Sequence, residues 1–83
     1  MTTADKIKEI LENELNPTVL IVRDDSKHHT GHHASGDGGH YTITLSTPKL
    51  QALNTLEKHK LVYQLLNNLF PDKIHALSIR FLP

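Results

Sequence analysis

The chain has 83 residues, enough for one compact domain over 1–83 and too few for two hydrophobic cores. It contains no cysteine, which excludes disulfides, a thiol nucleophile and a thiolate metal site made by this chain alone. The formal net charge is zero, well short of the basic surface of a strong nucleic-acid binder, and no apolar run reaches the ~18 residues that cross a bilayer. These features predict a cytosolic protein without membrane contact.

The first segment of the chain predicts an amphipathic helix. Thr2 or Thr3 can cap its N-terminus. The residue before Pro17 is pushed out of the helical region, so we expect the helix to stop at Asn16. Apolar residues at spacings of three and four form its inner face: Ile7, Ile10, Leu11 and Leu15.

Two predicted strands then flank a long polar loop. Val19 to Val22 is a short run rich in β-branched residues, and from Tyr41 to Ser46 apolar residues alternate with polar ones. The loop between them, at about 26–39, holds all four glycines and four histidines. A compact domain rarely keeps a structureless loop of this length unless the loop is functional or disordered.

The second half of the chain predicts a short helical turn at Thr47-Pro48, a longer helix over Thr55–Asn68 and a third strand over 75–82. The inner face of the long helix is predicted to carry Leu56, Val62, Leu65, Leu66 and Leu69, and that of the strand Leu77, Ile79 and Phe81. This order of elements indicates a small α+β sandwich, with a three-stranded sheet covered by helices on one face. The order is helix, strand, strand, short helix, long helix, strand.

The histidines are the main candidates for chemistry. His28, His29, His32 and His33 lie in the loop, where neutral imidazoles can bind zinc, copper, nickel or iron. The same residues also fit a polar, flexible loop without a ligand. His40, at the loop exit, is in phase with the polar face of its strand, so we expect a structural role.

Two further histidines lie outside the loop. His59 borders the apolar face of the long helix, where a histidine is usually a structural hydrogen-bonding residue. Lys58 and Lys60 beside it fit an acidic partner, a phosphate or simple solvation. His75 opens the third strand, in phase with Leu77, and is either a buried hydrogen-bonded residue or a ligand; the residues alone leave both open.

Several short motifs in order resemble the BolA-like proteins over nearly the whole chain. They are Asp24-Asp25-Ser26, His29, Gly31-His32, His40-Tyr41 (where the family usually has His-Phe), Lys58 to Tyr63 (KHKLVY) and Ile74 to Leu77 (IHAL). The chain departs from the family in having Leu50 and Ala52 where Phe and Gly are usual, and lysines at 58 and 60 in place of arginines.

The resemblance implies a fold similar to the class II KH domain and a partnership with monothiol glutaredoxins. In such complexes a [2Fe–2S] cluster is held by the glutaredoxin cysteine, a glutathione thiol and two ligands from the BolA-like chain. Carried onto this sequence, the ligands are His29 and His75, with His32 or His33 as alternates to His29. We expect no cofactor in the isolated chain, which is predicted to be a monomer.

Two other functions remain open at this point. BolA-like proteins are also described as transcriptional regulators, and Lys58 and Lys60 are the candidate DNA contacts, although the turn before the long helix lacks the Gly-x-x-Gly loop of KH domains. The loop histidines would also suit a stand-alone zinc or nickel buffer. An enzyme is not expected, because the sequence offers no nucleophile–base pair.

Overall fold

A computed structural model describes residues 1–26 and 39–83 of the chain. The helices and strands, in chain order, are α1 (Thr3–Leu15), β1 (Val19–Asp24), β2 (Gly39–Ser46), α2 (Thr55–Leu65) and β3 (Ile74–Phe81). Short 3₁₀ turns at Pro48–Leu50 and Asn67–Leu69 precede and follow α2. This order confirms the predicted α+β architecture.

Helix α1 begins and ends where the sequence predicts. The Thr2 hydroxyl accepts a hydrogen bond from the Asp5 N–H, and the Asp5 carboxylate accepts one from the Thr2 N–H, which completes a capping box. These hydrogen bonds lower the pKa of Asp5 below its usual value. At the other end Asn16 takes a left-handed conformation (φ 46°), which asparagine tolerates better than most residues.

The three strands form one mixed sheet in the order β1-β2-β3. β1 and β2 pair antiparallel, whereas β2 and β3 pair in parallel, with α2 in the connection that parallel pairing requires. As a result, the N-terminal ends of β2 and β3 lie side by side. This proximity brings together residues that are far apart in the sequence.

Both helices pack on one face of the sheet. That face of β2 carries Tyr41, Ile43 and Leu45, all buried. The buried residues that complete the core come from both helices and the connections: Ile7, Leu11, Leu15, Leu50, Val62, Leu66, Leu69 and Ile74. On the opposite face Ile21 is 57% exposed and no helix of the described chain covers it.

Helix α2 differs from its prediction in length and in one inward residue. The helix ends at Leu65 rather than Asn68, because the backbone leaves the helical region at Leu66 and tightens into a 3₁₀ turn. Leu56 was predicted to face the core but is 63% exposed. It lies six residues before the buried Val62, which at ~100° per residue turns it about 120° away from the core.

A buried threonine joins the end of α1 to the sheet. The Thr47 side chain, 1% exposed, donates a hydrogen bond to the Leu15 carbonyl (2.6 Å) and caps the following 3₁₀ turn by accepting from the Lys49 N–H. The carbonyl of Leu15 at the helix end is thus satisfied without water.

Within residues 1–26 and 39–83, no helix is both long and apolar enough to cross a bilayer. The cytosolic location stays a prediction.

Candidate functional site

His75 lies on a β-bulge at the start of β3. The register pairs Gly39 with Ile74 and then His40 with Ala76, so His75 is the extra residue on its strand. The bulge lets Ile74 enter the core while His75 stays exposed. The prediction that His75 is in phase with the inward-facing Leu77 is therefore wrong, because the extra residue resets the alternation of the strand.

His40 is the nearest described histidine to His75. The two ring centres are 5.4 Å apart, with the ring planes tilted by 42°. Parallel pairing of β2 and β3 creates this proximity, since each histidine stands near the N-terminal end of its strand. Only a structural role was predicted for His40, because its position beside His75 depends on a strand pairing that no local pattern predicts.

The backbone around His40 closes the long loop directly at this site. The His40 N–H donates to the Ser26 hydroxyl (3.0 Å), and the His40 carbonyl accepts from the Asp25 N–H (2.7 Å). The Ser26 N–H donates in turn to the Asp24 carboxylate (2.8 Å). The chain therefore leaves and re-enters the sheet beside the two imidazoles. His29, His32 and His33 lie outside the described residues, and their proposed ligand roles stay predictions.

The donor chemistry of this site fits a shared metal centre. Metal–nitrogen bonds of 2.0–2.1 Å at a tetrahedral metal place two imidazole ring centres roughly 5 Å apart, close to the separation of His40 and His75. In the part of the chain that the structure describes, no group of three or more His, Asp or Glu side chains is arranged to hold a metal ion. Two imidazoles suit a centre whose remaining ligands come from elsewhere.

A polar network on the open face of the sheet borders the site. The Asp25 carboxylate accepts hydrogen bonds from Arg23 Nε (2.6 Å) and from the Thr42 hydroxyl (2.5 Å), and Arg23 also donates to Thr42 (3.2 Å). The Asp25 side chain is thus held beside β2, while Asp24 turns to cap Ser26. The two carboxylates diverge, as expected for neighbours at the end of a strand.

Gly39 is tightly packed against the residues that position His40. A Cβ atom at this position would lie 2.7 Å from Tyr41 Cε2 and 2.8 Å from Ser26 Oγ. The Tyr41 ring is buried and therefore has little room to move. The same burial raises the pKa of its phenol. We expect Gly39→Ala to lower the free energy of unfolding by about 1–3 kcal/mol, measured by urea denaturation. Unchanged stability would contradict this packing.

His59 and the two lysines occupy α2, away from the histidine pair. The His59 Nδ1–H donates to the Thr55 carbonyl (2.9 Å), and its ring packs edge-on against Phe81 at 5.0 Å. Lys58 Nζ lies 5.6 Å from the centre of the Phe81 ring, whereas Lys60 is exposed. This geometry supports a structural role for His59 and distinguishes the two lysines.

We expect His59→Ala to lower stability by about 1–2 kcal/mol through loss of the hydrogen bond and the ring contact. Thermal unfolding measures this loss. His59 lies on α2, away from His40 and His75, so its replacement should leave the binding of a metal by those two histidines unchanged. Intact stability together with lost metal-dependent binding would overturn the structural assignment.

Comparisons with known proteins identify the family of this chain. The sequence model of the BolA-like protein family matches residues 11–83. The chain belongs to the BolA-like protein family. Its fold is similar to the BolA domain of SufE1 from Arabidopsis thaliana, with a TM-score of 0.84, 33% identity, and coverage of 98% of this chain and 91% of that one.

Two curated relatives show the range of the BolA-like family. The chloroplastic BOLA1 protein of Arabidopsis thaliana is 32% identical over 80 residues, covering 92% of this chain but only 50% of the relative. A Haemophilus influenzae protein named a DNA-binding transcriptional regulator is 25% identical over 79 residues, covering 95% and 75%. This BolA-like chain thus spans about half the length of BOLA1.

Proposed function

We propose that this BolA-like chain is a non-enzymatic partner of a monothiol glutaredoxin and shares a [2Fe–2S] cluster with it, in iron–sulfur trafficking or iron regulation. The observation that supports the proposal is the pairing of His40 and His75, with ring centres 5.4 Å apart at one end of the sheet. The loop that carries His29 also begins and ends there.

The proposed ligands divide evenly between the two proteins. The glutaredoxin cysteine and a bound glutathione supply two thiolates, and this chain supplies two imidazoles. His75 is the first, because it is exposed and stands on a strand. The second comes from the loop, with His29 ahead of His32 and His33, or from His40, whose ring is already beside His75.

Histidine ligation has a chemical consequence for the cluster. Replacing two thiolates by two neutral imidazoles on one iron raises the reduction potential, as in Rieske centres. The chain has no cysteine of its own, so the isolated protein is expected to hold no cluster.

The test is to mix this protein with a cluster-loaded monothiol glutaredoxin and glutathione, and to record visible absorption and circular dichroism. A changed spectrum, with both proteins eluting together, supports shared coordination. The isolated chain, treated with iron and sulfide and then desalted, is the control, and the eluted protein should show no visible absorption of a cluster. An unchanged spectrum in the mixture would refute the proposal.

A second candidate function is DNA binding by a transcriptional regulator. Its support is the name of the Haemophilus influenzae relative and the exposed side chain of Lys60. Lys58 is less available, because its ammonium group lies over Phe81. Binding to duplex DNA that falls steeply with salt, and weakens further in Lys60→Gln, would favour this candidate.

A further inference from the structure

Among residues 1–26 and 39–83, no strand pairs with the outer edge of β3. β3 is terminal in the sheet, and its register with β2 is regular from Ala76 to Phe81. The Leu82 N–H donates to the Leu45 carbonyl of β2, so the peptide groups in phase with Leu82 face β2. The alternate groups, of Leu77, Ile79 and Phe81, therefore point outward.

One outward carbonyl already has a partner from α2. The Tyr63 hydroxyl donates to the Leu77 carbonyl at 2.9 Å, which confirms the direction of this group. Across the described residues, no hydrogen bond from another element reaches Ile79. Its N–H and C=O are available to a further strand.

Helix α2 forms an exposed apolar ledge beyond this edge. His59 packs on Phe81 and serves as the reference point for angles around the axis of α2. Relative to His59 and in one direction of rotation, Tyr63 lies at about 40°, Leu56 at about 60° and Lys60 at about 100°. Leu56 is 63% and Tyr63 39% exposed. A strand added to β3 would cover these side chains. Leu56, which was predicted to face the core, is thus part of this ledge.

Basic side chains flank the edge on both sides of the sheet. Lys58 and Lys60 lie on the helical side. Arg80 lies exposed on the open face, because it is the register partner of Thr44 and side chains alternate between the two faces of the sheet. The single ion pair among residues 1–26 and 39–83 joins Arg23 and Asp25, so these three cations have no acidic partner there. Glu57, the nearest acid along α2, is occupied in the capping box with Asn54.

We propose that the outer edge of β3 binds an extended, acidic peptide segment of another protein as a fourth strand. The Ile79 peptide group supplies main-chain hydrogen bonds, and the ledge formed by Leu56 and Tyr63 supplies apolar contact. Lys60 and Arg80 select acidic side chains on the two faces of the added strand. The surface lies on a different part of the sheet from the histidine pair, so binding is independent of His75.

A peptide fits this surface better than a nucleic acid. Three cations are few for a phosphate backbone, and Lys58 is already packed over Phe81. Every second residue of β3 directs its N–H and C=O groups outward, and the main chain of an extended peptide offers N–H and C=O groups at the same spacing.

The experiment measures binding of a fluorescein-labelled peptide of about eight residues by fluorescence anisotropy with the whole protein. Glu-Glu and Val-Val pairs alternate along the peptide, so that both faces of the added strand carry Glu. Two further versions of this peptide carry N-methyl groups, one at the odd positions and the other at the even positions. In a bound strand either the odd or the even N–H groups face β3. One methylated version should therefore lose at least about tenfold in affinity, and the other should bind as well as the unmodified peptide. Amide exchange at Ile79 should slow when the unmodified peptide binds.

Charge substitutions test the flanking residues. Arg80→Gln and Lys60→Gln should each weaken binding up to about fivefold, as expected for exposed ion pairs. Lys8→Gln, which makes the same charge change on the exposed surface of α1, should leave the affinity unchanged. His75→Ala should also bind the peptide normally.

Three results would overturn the inference. The first is equal binding of the two methylated series, and the second is equal binding of a peptide with Lys in place of Glu. The third is binding of a thymidine oligonucleotide with no binding of the acidic peptide, which would assign the surface to nucleic acid.

Discussion

Replacing His75 by alanine is expected to lower cluster retention in the mixed glutaredoxin complex by more than about tenfold, a larger loss than any single substitution of a loop histidine. His75 is a unique position, the extra residue of a β-bulge on a strand. The loop histidines are neighbours in sequence, so His32 or His33 can replace His29 when that ligand is removed. Cluster retention is measured from the visible absorption that remains after gel filtration.

The fold should not suffer from this substitution. His75 is exposed and contributes no core volume, so thermal unfolding of His75→Ala should match that of the unmodified protein. His40→Ala distinguishes the possible second ligands: a loss comparable to that of His75→Ala assigns the role to His40, and a small loss assigns it to the loop. Equal damage from His29→Ala, His32→Ala and His75→Ala would show that the loop is not redundant.

Replacing Ile43 by alanine is expected to lower the free energy of unfolding by about 3 kcal/mol. Ile43 is fully buried at the centre of the middle strand, where it pairs with Val22 on one side and Ile79 on the other. Removing its outer carbons leaves a cavity that strands on both sides hold open. For a domain of this size, such a loss lowers the melting temperature by more than about 10 °C.

Thr44→Ala is the matched control for this substitution. Thr44 is the next residue of the same strand, half-buried on the open face of the sheet. Its replacement should cost below about 1 kcal/mol, because no core volume is lost. A similar loss at both positions would contradict the assignment of the two faces.

The elements of the fold were predictable because each rests on a local signal. Thr2 and Asp5 cap α1, Asn16 ends it, and the alternation from Tyr41 to Leu45 marks the buried face of β2. Leu56 was assigned wrongly because an apolar residue near a helix start satisfies the spacing pattern without facing the core. Only the packed structure shows which part of α2 contacts the sheet.

The candidate site was predictable only in part. The family resemblance selected His75, but its proximity to His40 requires parallel pairing of β2 with β3 and a bulge at one position. Neither feature can be predicted from the local sequence. The pairing joins distant segments, and a bulge adds one residue without changing the composition of the strand. The exposed Lys60 is likewise distinguished from its neighbour Lys58 only by the contact of Lys58 with the ring of Phe81.

The parallel pairing of β2 and β3 has a consequence for the order of folding events. His40 and His75 stand at positions 40 and 75, so their approach closes one of the longer loops in the chain and adds to its contact order. A partly folded intermediate without β3 cannot present both rings. Any metal bound by both would stabilise the docked strand by mass action and would slow its release. Binding of such a metal would therefore favour molecules in which β3 is paired with β2.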